Sequence, residues 1–136
     1  MTTDLRLFDI TFDASGDNTN NQYKGVFATS SVNASGEVAV VATHGGTFIG
    51  VLQDKSTASG IASLVRVAGI TKMQAGASSG HEIEITEGLL LVCSSKGDGV
   101  PSSSAGEAIV GMALEQLSTG STGIIKVLLG HFGFTT

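Results

Sequence analysis

The sequence holds a single cysteine, Cys93, a single proline and no tryptophan among its 136 residues. One cysteine cannot form an intramolecular disulfide or a four-cysteine zinc site, so folding does not depend on an oxidising compartment. Charged residues make up only 14% of the chain, well below the usual quarter. So little charge suggests that part of the surface faces a partner or another copy of the chain instead of water.

Basic residues are scarce as well. Seven Lys and Arg stand against twelve Asp and Glu, which gives a net charge of −5. The basic residues are scattered singly without a basic stripe, so we expect no nucleic-acid partner. The first residues, Met1–Asp4, are polar and acidic, and no apolar run approaches membrane-spanning length. We therefore expect synthesis in the cytoplasm without an export signal, and no contact with a membrane.

Glycine, in contrast, is abundant, with 19 residues, and serine and threonine are frequent. The length fits one domain, and strand-like segments recur at regular spacing from Tyr23 onward, which predicts an all-β sandwich or barrel. The predicted strands are Lys24–Val32, Glu37–Ala42, Thr47–Leu52, Ile61–Ala68, Glu82–Thr86, Leu89–Cys93, Ala108–Leu114 and Gly123–Leu129. The segment Ser94–Gly106 is predicted to be an exposed, mobile loop. A helix competes only at Gly106–Gln116.

Two segments of the chain resemble each other. In the first, Phe48–Leu52 is followed by a turn of small residues and by Leu64–Val67. In the second, Ile109–Leu114 is followed by a similar turn and by Ile124–Val127, so that Val-Arg-Val matches Ile-Lys-Val. The offset of about 60 residues lies outside the range of solenoid repeats. The pattern predicts duplicated strand-turn-strand units, and neither copy carries a reactive group.

The first 21 residues differ from the rest. Leu5–Phe12 has apolar residues at a spacing near two, with a phase slip at Phe8, and Asp13–Asn21 is polar and has no obvious packing residue. One interpretation is an extended strand-forming arm with a flexible linker, residues 1–21, ahead of a β domain, residues 22–136. The other is an ordinary first strand followed by a loop. We adopt the first for the domain division and keep the second open.

No motif indicates catalysis or a metal site. His44, His81 and His131 are far apart in the sequence, and no cysteine or carboxylate lies at ligand spacing from them. Cys93 ends an apolar strand, which predicts a buried and inert thiol. The Ser-rich turns lack the Gly-x-Ser-x-Gly pattern of a serine hydrolase. We therefore expect a protein that is not an enzyme and that holds neither a cofactor nor a metal.

The last third of the chain resembles a known family. Gly106–Glu115 reads Gly-Glu-Ala-Ile-Val-Gly-Met-Ala-Leu-Glu, and Thr122–Gly130 continues with Thr-Gly-Ile-Ile-Lys-Val-Leu-Leu-Gly. Together they resemble the closing segment of the small capsid cement, or decoration, proteins of tailed bacteriophages. Thr47–Gly69 is similar in style. The resemblance implies a small β-tulip or barrel-like fold, often trimeric, on the outside of an icosahedral head, where such proteins bind the capsid and strengthen the expanded shell.

The resulting hypothesis is a structural virion protein on the exterior of a phage capsid, with the major capsid protein as partner and other copies of the chain in a homotrimer. An arm in this setting can add a strand to a capsid-protein sheet. The predicted capsid contacts are the apolar residues of the first segment: Leu5, Leu7, Phe8, Ile10 and Phe12.

The alternative hypothesis is a β-sandwich ligand- or carbohydrate-binding module of a head fibre or tail appendage. The composition disfavours a sugar-binding face, since such faces usually present exposed aromatic rings, and this chain has no Trp and one Tyr.

Overall fold

The computed structural model describes residues 8–32, 38–41, 47–76 and 84–130. This part of the chain contains nine β-strands and no helix, so the predicted all-β fold is confirmed. In chain order the strands are β1 (Phe8–Ala14), β2 (Gly25–Val32), β3 (Val38–Val41), β4 (Phe48–Leu52), β5 (Ala62–Gly76), β6 (Leu90–Cys93), β7 (Gly99–Pro101), β8 (Ile109–Ala113) and β9 (Thr122–Leu129).

Backbone pairing closes two five-stranded ladders that share the long strand β5. The N-terminal ring consists of β1 to β4 and residues 62–68 of β5, in the order β1-β3-β2-β4-β5, and β5 returns to β1. The C-terminal ring consists of residues 69–76 of β5 and β6 to β9, in the order β5-β7-β6-β8-β9, and β9 returns to β5. The prediction of a small barrel-like fold is thus confirmed.

The two rings have the same topology. In the N-terminal ring β1 is parallel to β3, and in the C-terminal ring β5 is parallel to β7. Every other pair of neighbouring strands is antiparallel. The register matches as well, as one cross-strand row of each ring shows. The N-terminal ring has Gly25, Val51, Arg66 and Asp9 in this row, and the C-terminal ring has Leu90, Met112, Leu128 and Ile70. We call it the outer row. The chain is an internal duplication at the level of structure.

The neighbouring row lies on the opposite face of the ladder because successive residues of a strand alternate between faces. We call it the inner row. It contains Leu52, Val65 and Ile10 in the N-terminal ring, and Ala113, Val127 and Thr71 in the C-terminal ring. Five of these six residues are buried, and Ile10 is the exception. The inner row therefore faces the interior of each ring.

The duplicated strand-turn-strand units predicted from the sequence are the hairpins β4–β5 and β8–β9. Their basic residues are not equivalent, contrary to the sequence match of Arg66 with Lys126. The backbone register makes Arg66 equivalent to Leu128, and it makes Lys126 equivalent to Leu64. The sequence match fails because the two similar triplets lie at different heights on the returning strands.

A carboxylate fastens each hairpin at the same place. Asp54 Oδ2 accepts a hydrogen bond from the backbone N–H of Leu64 at 2.8 Å. Glu115 Oε2 accepts one from the backbone N–H of Lys126 at 2.9 Å, and Glu115 Oε1 lies 3.0 Å from Lys126 Nζ. Equivalent acidic residues thus close equivalent hairpins, although Asp54 and Glu115 are not among the residues that resemble each other in sequence.

Each ring has its own apolar core. The core of the N-terminal ring is formed by Val26, Leu52 and Val65, with Phe12, Ile49 and Val67 packed against it. The core of the C-terminal ring is larger and consists of Val51, Met73, Ala75, Ile85, Leu91, Ala113, Ile125, Val127 and Leu129. Val51 is a residue of the N-terminal ring, so the outer face of β4 packs on the C-terminal ring and joins the two cores.

The first strand belongs to the sheet. β1 pairs with β5 along most of its length, from Phe8 opposite Ala68 to Asp13 opposite Ala62, and its last residues pair with β3. For these residues the structure matches the alternative of an ordinary first strand. A register shift lies between Phe8 and Asp9, next to the phase slip seen in the sequence, and its extra residue, Val67, belongs to β5. The division of the chain into residues 1–21 and a β domain of residues 22–136 stays a prediction.

The polar stretch Asp13–Asn21 does contain a packing residue, contrary to expectation. Asn18 is only 2% exposed; its backbone N–H donates to Ser56 O at 2.7 Å and its Nδ2 donates to Ser56 Oγ at 3.3 Å. Ser63 Oγ donates in turn to Ser56 Oγ at 2.7 Å. Hydrogen bonds between buried polar groups, which an apolar pattern cannot reveal, hold this stretch on the N-terminal ring.

Two further predictions are corrected. Ser94–Gly106 is not one exposed loop, because β7 lies within it and is buried between β5 and β6. Its Gly-Val-Pro sequence has no alternation that would predict a strand. The predicted strand Glu82–Thr86 contains, in its described residues, only an isolated bridge between Ile85 and Leu117. Gly106–Gln116 holds β8 and no helix.

A methyl group added at either of two equivalent glycines should destabilise the protein. A Cβ at Gly50 would lie 2.9 Å from the carbonyl carbon of Arg66, and one at Gly111 would lie 2.6 Å from Val127 Cγ1. We expect Gly50→Ala and Gly111→Ala each to lower the free energy of unfolding in urea by about 1–3 kcal/mol. Gly16→Ala is the control, since nothing lies within 4 Å there. Equal urea midpoints for Gly50→Ala and Gly16→Ala would show that the close strand approach is dispensable.

Removing the buried amide should loosen the polar stretch. Asn18→Ala leaves Ser56 without one of its partners and removes the bond from Asn21 Nδ2 to Asn18 Oδ1. We expect a loss of about 1–3 kcal/mol in the free energy of unfolding. The exposed neighbour Asn20 supplies the matched variant, Asn20→Ala, which should unfold like the parent. A parent-like Asn18→Ala would mean that the stretch is held by other contacts.

Candidate functional site

Three of the five predicted capsid contacts lie in the described part of the chain. Phe8 is 59% exposed and Ile10 is 37% exposed. Phe12 is partly buried and packs against the core of the N-terminal ring. Leu5 and Leu7 lie outside the described residues. Phe12 thus serves the core, and Phe8 and Ile10 are the members of the set that the structure places on the surface.

Ile10 lies at an open end of the N-terminal ring. It pairs with Val65 in the inner row, so it belongs to the interior face, yet it remains exposed. Its equivalent in the C-terminal ring, Thr71, is 3% exposed because Gln53 of the N-terminal ring covers it, with Gln53 Nε2 donating to Thr71 Oγ1 at 2.9 Å. The two rings therefore differ at this end: one interior is capped and the other presents an apolar side chain to solvent.

Phe8 lies on the far side of the register shift. The extra residue of the shift, Val67, belongs to β5, so Phe8 stays in phase with Ile10 and Phe12 along β1 but lies beyond the regular pairing of the two strands. Phe8 is also the only aromatic side chain in residues 8–32, 38–41, 47–76 and 84–130 that is exposed. It is thus an apolar group at the surface that contributes little to the core.

An ion pair fixes β1 between these two residues. Arg66 Nε donates to Asp9 Oδ1 at 2.7 Å and Arg66 Nη2 donates to Asp9 Oδ2 at 2.9 Å, while Arg66 Nη1 reaches Ile70 O at 3.1 Å. These hydrogen bonds lower the pKa of Asp9 below its usual range, and they raise the pKa of Arg66. A bidentate pair of this kind fixes orientation as well as charge. It holds β1 in register at the exposed end of the ring.

A second apolar surface lies on the outer row of the C-terminal ring. Leu90 is 39% exposed, and Met112, Leu128 and Ile70 are partly exposed. They are direct cross-strand neighbours on four strands, β6, β8, β9 and β5. This surface is not visible in the sequence because its four residues are far apart along the chain, and only the ladder brings them together.

Cys93 and Asp98 are two titratable groups whose surroundings raise their pKa values. Burial and the negative charge of Asp98 raise the pKa of Cys93 to about 12, so the thiolate is not populated at neutral pH, as the predicted inert thiol requires. Burial also raises the pKa of Asp98, although Lys24 and Lys96 oppose the shift. The described residues contain no group of three or more metal-binding side chains, and His44, His81 and His131 lie outside them.

The described residues also contain no helix long and apolar enough to cross a membrane.

Comparison with known proteins identifies a shared fold. No family model matches the chain, and no curated protein sequence matches it. Among solved structures, the N base of the head fibre gp8.5 of bacteriophage phi29 is similar, with a TM-score of 0.55 and 15% sequence identity. The alignment covers 92% of this chain and 95% of that chain. The likeness is therefore one of fold and extends over nearly the whole of both chains.

The ion pair predicts an acid-dependent loss of stability. Since the folded-state pKa of Asp9 is lowered, the pair stabilises the fold above the unfolded pKa of Asp, about 3.9, and this contribution is lost as the pH falls through the folded pKa. Between about pH 6 and pH 2 the parent should therefore lose more unfolding free energy than Asp9→Asn, measured by urea titration. Glu87→Gln removes an exposed carboxylate and should follow the parent. Parallel pH curves for the parent and Asp9→Asn would contradict this role.

Proposed function

We propose that this chain is a structural, non-enzymatic protein of a bacteriophage head, bound to the outer surface of the capsid. The observation that carries the proposal is the likeness of fold, over 92% of this chain, to the N base of a phage head fibre. The resemblance of Gly106–Glu115 and Thr122–Gly130, the segments that contain β8 and β9, to capsid cement proteins points to the same setting. The proposed location is the exterior of the virion.

Within this setting the leading candidate is a cement protein that binds the major capsid protein and stabilises the expanded head. The second candidate is a module of a head fibre or tail appendage, and the similar fold of the N base of a head fibre supports keeping it. A carbohydrate-binding module has less support, because sugar faces use exposed aromatic rings and Phe8 is the one exposed ring in the part of the chain that the structure describes. The homotrimer implied by the family resemblance stays a prediction.

The proposed attachment group is Phe8, together with Leu5 and Leu7 ahead of it. Because Phe8 contributes little to the core, a partner can cover it without disturbing the fold. Burying an exposed Phe on a partner contributes roughly 1.5–3 kcal/mol. A contact of that size is weak for one molecule, but a head that presents many equivalent sites to an oligomer multiplies it.

Replacing Phe8 should weaken attachment without unfolding the protein. We expect Phe8→Ser to raise the dissociation constant for expanded heads that lack the protein by about tenfold, in a co-sedimentation assay. Ile124 is also apolar and is 50% exposed, but it lies on β9, so Ile124→Ser is the matched control and should bind like the parent. A point variant is preferable to deletion of residues 1–13, which would remove most of β1.

Equal binding by Phe8→Ser, Ile124→Ser and the parent would contradict the assignment of Phe8. Failure of the parent itself to sediment with heads would contradict the proposed function as a whole. The same decorated heads separate the two candidates. A cement protein raises the temperature at which heads release their genome, whereas a fibre base leaves that temperature unchanged.

A further inference from the structure

The two rings of the chain already meet through a defined contact. The outer face of β4 in the N-terminal ring covers the open end of the C-terminal ring. Val51 is fully buried in the core of the C-terminal ring, and Gln53 Nε2 donates to Thr71 Oγ1 at 2.9 Å. The N-terminal ring thus contributes the outer face of β4, and the C-terminal ring contributes the part of β5 that holds Thr71.

Because the rings are duplicates, each half of this contact has an equivalent elsewhere on the molecule. The equivalents of Val51 and Gln53 are Met112 and Leu114, on and just after β8. The equivalent of Thr71 is Ile10. All three equivalents are at least partly exposed. The molecule therefore presents both halves of the contact to solvent, at opposite ends of the duplication.

The chemistry of the two exposed halves is complementary. Inside the chain, the pair Gln53 and Thr71 is polar and hydrogen-bonded. At the exposed positions both members, Leu114 and Ile10, are apolar. Each can therefore be buried against the other without leaving an unpaired polar group. A single partly exposed Leu or Ile is unremarkable, but two that occupy the two halves of one contact are a specific match.

Charge does not oppose such a contact. The charged groups beside Ile10 are Asp9 and Arg66, which neutralise each other. Those beside Leu114 are Glu115 and Lys126, which lie 3.0 Å apart, and Lys72, which pairs with Lys126 across the ladder and whose charge also acts on Glu115. The pair beside Ile10 is balanced and the group beside Leu114 has an excess of one positive charge, so two like-charged surfaces are not brought together when they meet.

We propose that the partner of these surfaces is a second copy of this chain. Met112 and Leu114 of one copy cover the open end of the N-terminal ring of the next, at Ile10, as the N-terminal ring covers the C-terminal ring within one chain. The contact joins two different surfaces, so it is heterologous, and its repetition produces a closed ring of copies or a filament.

This proposal does not rest on the proposed function. It uses Ile10 and the residues around Leu114, whereas attachment to a head is assigned to Phe8, two residues before Ile10 on β1. Self-association is measured with the purified protein alone. Failure of self-association would remove the multivalence invoked above but leave the contact of Phe8 with heads measurable, and failure to bind heads would leave self-association untouched.

The test is the mass of the purified protein in solution, by analytical ultracentrifugation over a concentration series. The parent should form a concentration-dependent oligomer. Ile10→Lys and Leu114→Glu should each raise the dissociation constant at least tenfold, since either places a charge against an apolar surface. Ile124→Lys introduces a charge at an exposed apolar position on β9, outside both surfaces, and should assemble like the parent.

Mixing provides the decisive comparison. Each variant keeps one intact surface, and the two altered surfaces carry opposite charges, so an equimolar mixture of Ile10→Lys and Leu114→Glu should recover the assembly that neither forms alone. A monomeric parent throughout the series would overturn the proposal. Parent-like assembly of either single variant, or a mixture that stays monomeric while both variants remain folded by circular dichroism, would overturn it too.

If a charged variant does not fold, Ile10→Thr and Leu114→Gln replace the pair. Their side chains already occur at the equivalent positions, as Thr71 and Gln53. Each should weaken assembly when present alone, and the two together in one chain should restore it through the hydrogen bond seen inside the molecule. If the double variant loses as much free energy of association as the two single variants together, the proposed contact is contradicted.

Discussion

The sharing of β5 between two closed ladders constrains the whole structure. Residues 62–68 complete the N-terminal ring and residues 69–76 begin the C-terminal ring, so one backbone sets the register of both. Because side chains alternate with a period of two, a slip of one residue would exchange interior and exterior faces in both rings at once. Gly69, with φ of 96°, lies where the strand passes from one ring to the other, in a conformation that favours glycine.

Because the two rings are duplicates, each residue of one ring can be compared with its equivalent in the other, and a few equivalent positions differ. Tyr23, with φ of 67°, occupies the position of Gly88 in the C-terminal ring, and the backbone N–H groups of both donate to equivalent carbonyls. The ring of Tyr23 lies 5.8 Å from Lys72 Nζ, a contact that glycine could not make. A second difference is that the N-terminal ring has exposed Ile10 where the C-terminal ring has Thr71, which Gln53 covers. This is the difference on which the proposed self-association depends. Comparison of the rings thus separates residues that serve the fold from residues available to a partner.

The sequence allowed prediction of the strands whose apolar residues alternate or cluster, and of the paired hairpins. It could not predict β7, because Gly-Val-Pro between serine-rich segments has no periodicity and is buried only through its pairing with β5 and β6. The burial of Asn18 could not be predicted either, because it depends on a hydrogen bond to Ser56, far along the chain. For the site, apolar spacing identified Phe8 and Ile10, but the outer row of the C-terminal ring exists only after four separate strands are aligned.

A cryo-EM reconstruction of heads carrying the protein tests the account most directly. The account predicts density on the outer capsid surface into which both closed rings fit. Neighbouring copies should meet with Leu114 of one against Ile10 of the next, and Phe8 should face the shell. Heads without such density would contradict the structural role, and copies separated from one another, with Leu114 and Ile10 both in solvent, would contradict the contact inferred from the duplicated rings.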